Sequence, residues 1–110
     1  MTTIQYRFDD DSVRADFSGH AGYAKAGEPD IVCSACSMLA FTLAQALREM
    51  EADGALIDFC LQHFEGGNAY VYAKAKARSE ARLRLHTVAE TIYCGLLMLQ
   101  QKYPGNVKVE

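Results

Sequence analysis

Hydrophobic and polar residues alternate near the start of the chain in a way that predicts two strands. Residues 4–8 have the composition of a strand, and the polar residues 9–12 that follow predict a tight turn. In residues 13–18 every second side chain is apolar, so one face of this strand is expected to be buried. Because the alternation continues, His20 is expected on the polar face, where it is accessible to solvent or to a cleft.

A long apolar stretch, residues 31–50, predicts a helix. Its only charged residues, Arg48 and Glu49, stand at its end, and Asp30 before it is a good N-cap residue. Gly54 then supplies a glycine stop. A helix that is apolar on every side is expected to be covered all round, by the sheet and by a further element.

The second half of the chain predicts another hairpin and another helix. Residues 56–64 and 69–77 read as two strands around a turn at residues 65–68, and Glu80–Lys102 reads as an amphipathic helix. The helix is expected to bury one stripe of apolar side chains: Leu83, Val88, Ile92 and Leu96. A short last strand, Val107–Val109, completes the order ββαββαβ. This order predicts an α+β fold, with two helices packed on a mainly antiparallel sheet.

Composition and charge describe a single soluble domain spanning residues 1–110. Half of the residues are apolar, 23% are charged, and the net charge of −3 gives no electrostatic footprint for nucleic acid. The N-terminus has no basic segment followed by an apolar core, and residues 31–47 are too polar for a membrane span. We therefore expect a cytoplasmic protein that contacts neither membrane nor nucleic acid and keeps its four cysteines reduced.

Candidate chemistry is concentrated where the first long helix begins. Cys33 stands in the first turn of that helix, where free N–H groups and the helix dipole stabilise a thiolate. His20 lies one loop earlier in the chain and is the natural base, so the two form a candidate nucleophile–base pair. The spacing alone does not decide whether Cys33 is catalytic or purely structural. Cys60 and Cys94 are expected to be small buried side chains.

Three other residues near this pair carry open alternatives. Asp30 either orients the imidazole or only caps the helix, and Ser37 either bonds near the thiol or bonds the preceding turn. Cys33 and Cys36 also form a C-x-x-C motif, which is typical of thiol–disulfide proteins. That motif usually follows a strand in a βαβ unit, whereas a hairpin and a glycine loop precede it here. The sequence offers no second pair of closely spaced ligands for a zinc site.

The stretch GHAGYA at residues 19–24, with Gly27 and then DIVCSACS at residues 30–37, resembles the signature of the ribosomal-processing cysteine proteases. This family is known for removing a short N-terminal extension from a large-subunit ribosomal protein. The resemblance implies that Cys33 is the nucleophile and His20 its base and acid. It also implies cleavage after an aromatic residue, a homodimer, and no metal or organic cofactor. Cys36 departs from the pattern, which more often has a small or apolar residue there.

The resemblance also implies roles for the residues between the pair. Asp30 and Ser37 would support catalysis, and a substrate loop containing Gly22, Tyr23 and Gly27 would lie over the site. We expect residues 21–29 to be mobile without substrate, because the glycines permit many backbone conformations.

Two further expectations concern the oxyanion donors and the alternative function. The amides of the helix N-terminus, including that of Cys33, are the expected oxyanion donors. The alternative from another class is a non-catalytic, ribosome-associated binding module in which Cys33 is structural.

Overall fold

The computed structural model describes residues 1–65 and 67–110, and the side chains of His63 and Glu65 also lie outside the described part. Its elements are β1 (Thr2–Phe8), β2 (Ser12–Ser18), α1 (Ile31–Ala52), β3 (Leu56–Glu65), β4 (Asn68–Ala75), α2 (Glu80–Lys102) and β5 (Val107–Val109). The predicted order ββαββαβ is confirmed. The predicted hairpin turn includes Gly66, which lies outside the described residues.

The strands form one five-stranded sheet with the order β3-β4-β2-β1-β5. The pairs β1/β2, β2/β4 and β3/β4 are antiparallel, and only β1/β5 is parallel, because the chain crosses over through α2 before β5. The prediction of a mainly antiparallel sheet is confirmed. In the β2/β4 pair Phe17 lies opposite Ala69.

One face of the sheet forms the core together with both helices. Val13, Ala15 and Phe17 are buried, as the alternation in β2 predicts, while Arg14 on the opposite face lies over the ring of Tyr72 at 5.4 Å. The buried face of β4 consists of small residues, which let the helices approach closely: Ala69, Val71, Ala73 and Ala75. Burial of each large aliphatic side chain in this core contributes roughly 1.5–3 kcal/mol.

The helix α1 packs on the sheet through one face and leaves the other uncovered. Leu43 and Leu47 are fully buried, whereas Ile31, Met38 and Phe41 are half exposed or more. Residues 31–47 were expected to be too polar for a membrane span, but within the described residues α1 is long and apolar enough to cross a membrane by length and composition. Core helices of soluble proteins share this property, and 33% of its most apolar 18-residue window is buried. The expectation that α1 is covered all round is therefore wrong for the single chain.

The buried stripe of α2 differs from the predicted one in its first turns. Ile92 and Leu96 are buried as predicted, but Leu83 is 56% exposed. Leu85 and Ala89 are fully buried instead, because positions four residues apart return to the same face of a helix. The stripe 85–89–92–96 thus follows the helical period, whereas Leu83 lies off it.

Candidate active site

Asp30 connects the loop that follows β2 to the first turn of α1. Its Oδ1 accepts hydrogen bonds from the N–H groups of Val32 (3.0 Å) and Cys33 (2.9 Å). Its Oδ2 accepts hydrogen bonds from the N–H groups of Tyr23 (2.9 Å) and Ala24 (3.3 Å). These four bonds make Asp30 the N-cap of the helix and direct its carboxylate at backbone amides, not at an imidazole.

The same bonds occupy the amides that were expected to receive the oxyanion. The N–H of Cys33 donates to the Asp30 side chain, and the N–H of Ser34 donates to the Asp30 carbonyl at 3.0 Å. The Cys33 amide, one of the expected oxyanion donors, is therefore already engaged by Asp30. The bond from Cys33 is the largest of several that lower the pKa of Asp30 below its ordinary value, and partial burial opposes them.

Asp30→Ala is expected to lower the melting temperature at neutral pH by several degrees, because the cap and its tie to the loop are lost. The pKa of Asp30 is lower in the folded than in the unfolded protein, so its stabilisation is complete above the unfolded value of about 3.9 and is lost as the pH falls through the folded value. The difference in melting temperature from the unmutated protein should therefore shrink below about pH 4.

Ser79→Ala provides the matched control for this prediction. Ser79 caps α2 by accepting a hydrogen bond from the N–H of Arg82 at 3.1 Å, and a hydroxyl does not titrate in this range. Its melting-temperature deficit should stay constant while that of Asp30→Ala shrinks. Equal acid dependence of the two deficits would contradict the account of Asp30.

A cavity of about 190 Å³ opens beside the first turns of α1. Cys33, which is half-buried, faces it, together with Ser37 one turn later in the helix. The remaining lining residues come mostly from β2, β4 and the middle of α1: Thr2, Phe17, Gly19, Cys36, Ala40, Phe41, Phe64, Gly67, Asn68 and Ala69. The thiol of Cys33 thus borders a largely apolar space that is large enough for a side chain of a peptide.

His20 lies at the rim of this cavity. It follows Gly19, which lines the cavity, and its ring lies against Gly67, which also lines it; a Cβ on Gly67 would be 2.8 Å from the His20 Cε1 atom. The imidazole is exposed, as the alternation in β2 predicts. Among the described hydrogen bonds of this region none joins His20 to Cys33. Such bonds between catalytic groups often tighten only when substrate binds.

Gly67 and Asn68 line the cavity but are not predicted from the sequence as parts of the site. Both belong to the region where β4 begins, and they reach the cavity because β4 pairs with β2 and not with β3 alone. Two turn residues between predicted strands carry no signal for this pairing. The signal that would have found them is the register of β2 on β4, which depends on the tertiary fold.

Cys36 lies in the same cavity wall as Cys33 but differs from it chemically. Its side chain is buried, and this burial, reinforced by the nearby Cys33 and Asp30, raises the pKa of the Cys36 thiol to about 11. Cys36 therefore remains a protonated thiol at neutral pH. This argues against Cys36 as a nucleophile and against rapid thiol–disulfide exchange through the C-x-x-C motif.

The loop between His20 and Cys33 is more strongly anchored than the sequence suggested. Ala21 is buried in the core, and its carbonyl accepts a hydrogen bond from the side-chain amide of Asn106 at 3.0 Å. The ring of Tyr23 packs edge-on against that of Tyr103, at a centroid distance of 5.3 Å. Contacts of Ala21 and Tyr23 thus anchor the first residues of the loop. Mobility remains a prediction for its later part, where Gly27 has a positive φ of +84°.

The two remaining cysteines lie outside the cavity. Cys60 is half-buried in β3, whereas Cys94 is exposed on α2, contrary to the expectation of a buried thiol. The prediction fails because α2 is apolar on more than one face in its last turns, so an apolar neighbourhood in sequence does not imply burial. A general thiol reagent will consequently modify Cys94 as well as Cys33.

Comparison with protein families gives one match that spans the chain. The model of a family described as cysteine protease Prp matches residues 1–108. None of the curated protein sequences compared with the chain is similar enough to be counted as a relative.

Solved structures with the same fold include two of a ribosomal processing protease Prp from S. aureus. The one with a covalently linked product peptide has a TM-score of 0.72 at 20% identity, and the one with a substrate peptide has 0.66 at 15%; each comparison covers 100% of this chain and 98% of that one. SMU.848 from Streptococcus mutans has a TM-score of 0.67 at 27% identity, covering 100% of this chain and 92% of its own. The fold is therefore shared along the whole chain.

Proposed function

The chain belongs to the family of the cysteine protease Prp and is a cysteine peptidase, and we propose that it removes a short N-terminal extension from a large-subunit ribosomal protein. The observation that carries this proposal is the half-buried Cys33 in the wall of an apolar cavity that has His20 at its rim. The S. aureus relatives, described as ribosomal processing proteases, support the same substrate class. Family membership decides against a non-catalytic binding module and against a thiol–disulfide protein.

In the proposed reaction the Cys33 thiolate attacks the carbonyl carbon of the scissile peptide bond. As the tetrahedral intermediate collapses, the C–N bond breaks, and the His20 imidazolium donates its proton to the leaving amine. The product is a thioester between Cys33 and the N-terminal fragment. His20, now neutral, takes a proton from water, which attacks the thioester and releases the fragment as a carboxylate.

The oxyanion of the intermediate needs a donor other than the amide of Cys33, because that N–H is bonded to Asp30 at 2.9 Å. Ser37 and Asn68 line the cavity and carry side chains that can donate hydrogen bonds. We assign the oxyanion to this pair. The family resemblance implies a supporting role for Ser37, and in this proposal that role is to donate a hydrogen bond to the oxyanion. The supporting role of Asp30 is to hold the first turn of α1 in place.

The cavity supports the choice of an aromatic residue before the scissile bond. Phe17, Phe41 and Phe64 contribute much of its lining, and its volume of about 190 Å³ exceeds the roughly 150 Å³ of an apolar protein cavity that binds benzene. An aromatic side chain buried here would place the following peptide bond beside Cys33. This selectivity rests on apolar burial, because burying one aromatic side chain in such a cavity contributes roughly 1.5–3 kcal/mol to the free energy of substrate binding.

A homodimer is part of the proposal, with a second copy of this chain covering the outer face of α1. A shallow groove of about 400 Å³ runs along this face and is lined by Met38, Phe41, Thr42, Gln45, Ala46 and Glu49. Phe41 lines both this groove and the cavity of Cys33, so the interface would continue into the substrate site. Soluble monomers rarely leave clustered large apolar side chains such as Met38 and Phe41 uncovered, and a twofold pairing of α1 would bury them in both chains.

Met38→Glu is expected to convert the dimer into a monomer, because it replaces an exposed apolar side chain of the proposed interface with a charge. Met98→Glu is the matched control, since Met98 is similarly exposed (70%, against 64% for Met38) but lies on α2. Light scattering at micromolar concentration should show dimers for the unmutated chain and for Met98→Glu, and a monomer for Met38→Glu. A monomeric unmutated chain would refute the dimer.

The proposed function is tested by incubating the protein with the large-subunit ribosomal protein precursors of its own organism. The expected result is one shortened product whose mass loss corresponds to cleavage after an aromatic residue near the N-terminus. Incubation with Cys33→Ala should leave every precursor intact. Since ribosome assembly takes place in the cytoplasm, the proposal includes a cytoplasmic location. Failure to shorten any of the precursors would overturn the proposed substrate.

A further inference from the structure

We propose that Gly67 is a positioning residue for the catalytic histidine, and that the turn before β4 holds the His20 imidazole beside the cavity. This inference rests on the proposed role of His20 as the acid and base of the reaction. It assigns to the β3–β4 hairpin a part in catalysis that its sequence, a glycine-rich turn, does not indicate.

The register of the sheet brings the two residues together. β2 pairs antiparallel with β4, and Phe17 lies opposite Ala69 at the end of this ladder. Moving two residues onward along β2 and two residues back along β4 places Gly19 opposite Gly67. A Cβ on Gly67 would lie 3.2 Å from the carbonyl oxygen of Gly19, so the two backbones are in close contact.

His20 follows Gly19 directly, and its ring occupies the space that a side chain at position 67 would need. A Cβ on Gly67 would lie 2.8 Å from the Cε1 atom and 3.0 Å from the Nε2 atom of His20. Both distances are shorter than ordinary van der Waals contact between such atoms. The imidazole therefore lies directly against the face of Gly67, and a side chain at position 67 would displace the ring from this position.

The support matters because little else described in the structure fixes this ring. His20 is exposed and lies beyond the end of β2, which stops at Ser18. A side chain there would otherwise exchange between rotamers, and the fraction of time spent beside the cavity would fall. Holding a catalytic group in its working geometry before substrate arrives removes that cost, and displacement by about 1 Å can lower a rate by about 10²-fold.

Gly67→Ala tests the inference against Gly54→Ala, a control with nearly the same backbone strain. Gly67 has a φ of +80° and Gly54 a φ of +74°, so alanine is disfavoured to a similar degree at both positions. They differ in surroundings, because a Cβ on Gly54 would meet no described atom within 4 Å. Gly67→Ala should lower kcat for a peptide substrate by about 10–100-fold with a smaller effect on KM, and Gly54→Ala should leave both near their original values.

The double variant His20→Ala/Gly67→Ala separates positioning from general damage to the fold. If Gly67 acts through the imidazole, adding Gly67→Ala to His20→Ala should cause no further loss of rate. A further loss of the full 10–100-fold in the double variant would overturn the inference. Equal activity of Gly67→Ala and the unmutated enzyme would overturn it as well.

A measurement on the unmutated protein decides the matter even where Gly67→Ala fails to fold. A nuclear Overhauser contact between the Hε1 proton of His20 and the Hα protons of Gly67 is expected, and its absence would refute the inference. This contact is independent of substrate, so failure to cleave any ribosomal precursor would count against the proposed function alone. The pH dependence of Cys33 alkylation by iodoacetamide, measured in a Cys94→Ala background, should likewise change with Gly67→Ala and not with Gly54→Ala.

Discussion

Replacement of Cys33 by alanine is expected to abolish peptide cleavage, with a fall of about 10⁴–10⁶-fold in kcat. In the proposed mechanism this thiol forms the covalent intermediate, and no other nucleophile among the described residues occupies the same position. Ser37 lies one turn further along α1, where its unactivated hydroxyl is a much weaker nucleophile, and burial raises the pKa of Cys36 to about 11. Cleavage of an aromatic-containing peptide, followed by mass measurement, checks the prediction.

Cys36→Ala is the control for this variant, because it removes the neighbouring thiol of the same helix. Most of the activity should remain, since Cys36 is a protonated, buried group that packs in the cavity wall. The cost in stability should be about 1 kcal/mol, as for removal of one small buried atom. Loss of activity in Cys36→Ala, together with disulfide reductase activity of the unmutated protein, would contradict the assignment of the nucleophile.

His20→Ala is expected to give the second largest loss, about 10²–10⁴-fold in kcat/KM. In the proposed mechanism the variant loses both the acid that protonates the leaving amine and the base that activates water. The remaining activity should no longer show the limb of the pH–rate profile that depends on an imidazole. Rates measured between pH 5 and pH 9 for both proteins reveal this change.

The chain offers a matched control for that variant in His86. His86 is a partly exposed histidine of α2 whose Nδ1 atom lies 2.9 Å from the carbonyl oxygen of Asp9, and it does not line the cavity. His86→Ala should therefore keep both the rate and the shape of the pH profile. A loss in His86→Ala equal to that in His20→Ala would show that the effect is not specific to the site.

Much of the fold follows from local signals that are strong enough to survive tertiary packing. The alternation in β2 predicted the burial of Val13, Ala15 and Phe17, and the cap at Asp30 predicted the first residue of α1. Both signals depend on a residue and its immediate neighbours. The stripe of α2 was predicted less well, because Leu83 and Leu85 are both apolar and only packing on the sheet selects Leu85.

The site could be predicted from sequence only in part. The helix N-terminus indicated Cys33, and the end of a strand indicated His20, because both positions have local physical signatures. The occupation of the Cys33 amide by Asp30 was not foreseen, although the cap itself was, since the capping bond and the oxyanion compete for one N–H group. The contact between Gly67 and His20 could not be predicted from the sequence, because it depends on the register between β2 and β4.

The most direct test of the central claim is covalent labelling with a peptide chloromethyl ketone that carries the residues preceding the cleavage site of the ribosomal precursor. Intact mass and peptide mapping would locate the adduct while cleavage activity is followed on the same samples. The account predicts one adduct per chain, on Cys33, with activity lost in proportion to labelling. Exposed Cys94 should react little, because it has no neighbouring site to bind the peptide. Labelling of another cysteine in its place, or full activity after complete modification of Cys33, would contradict the account.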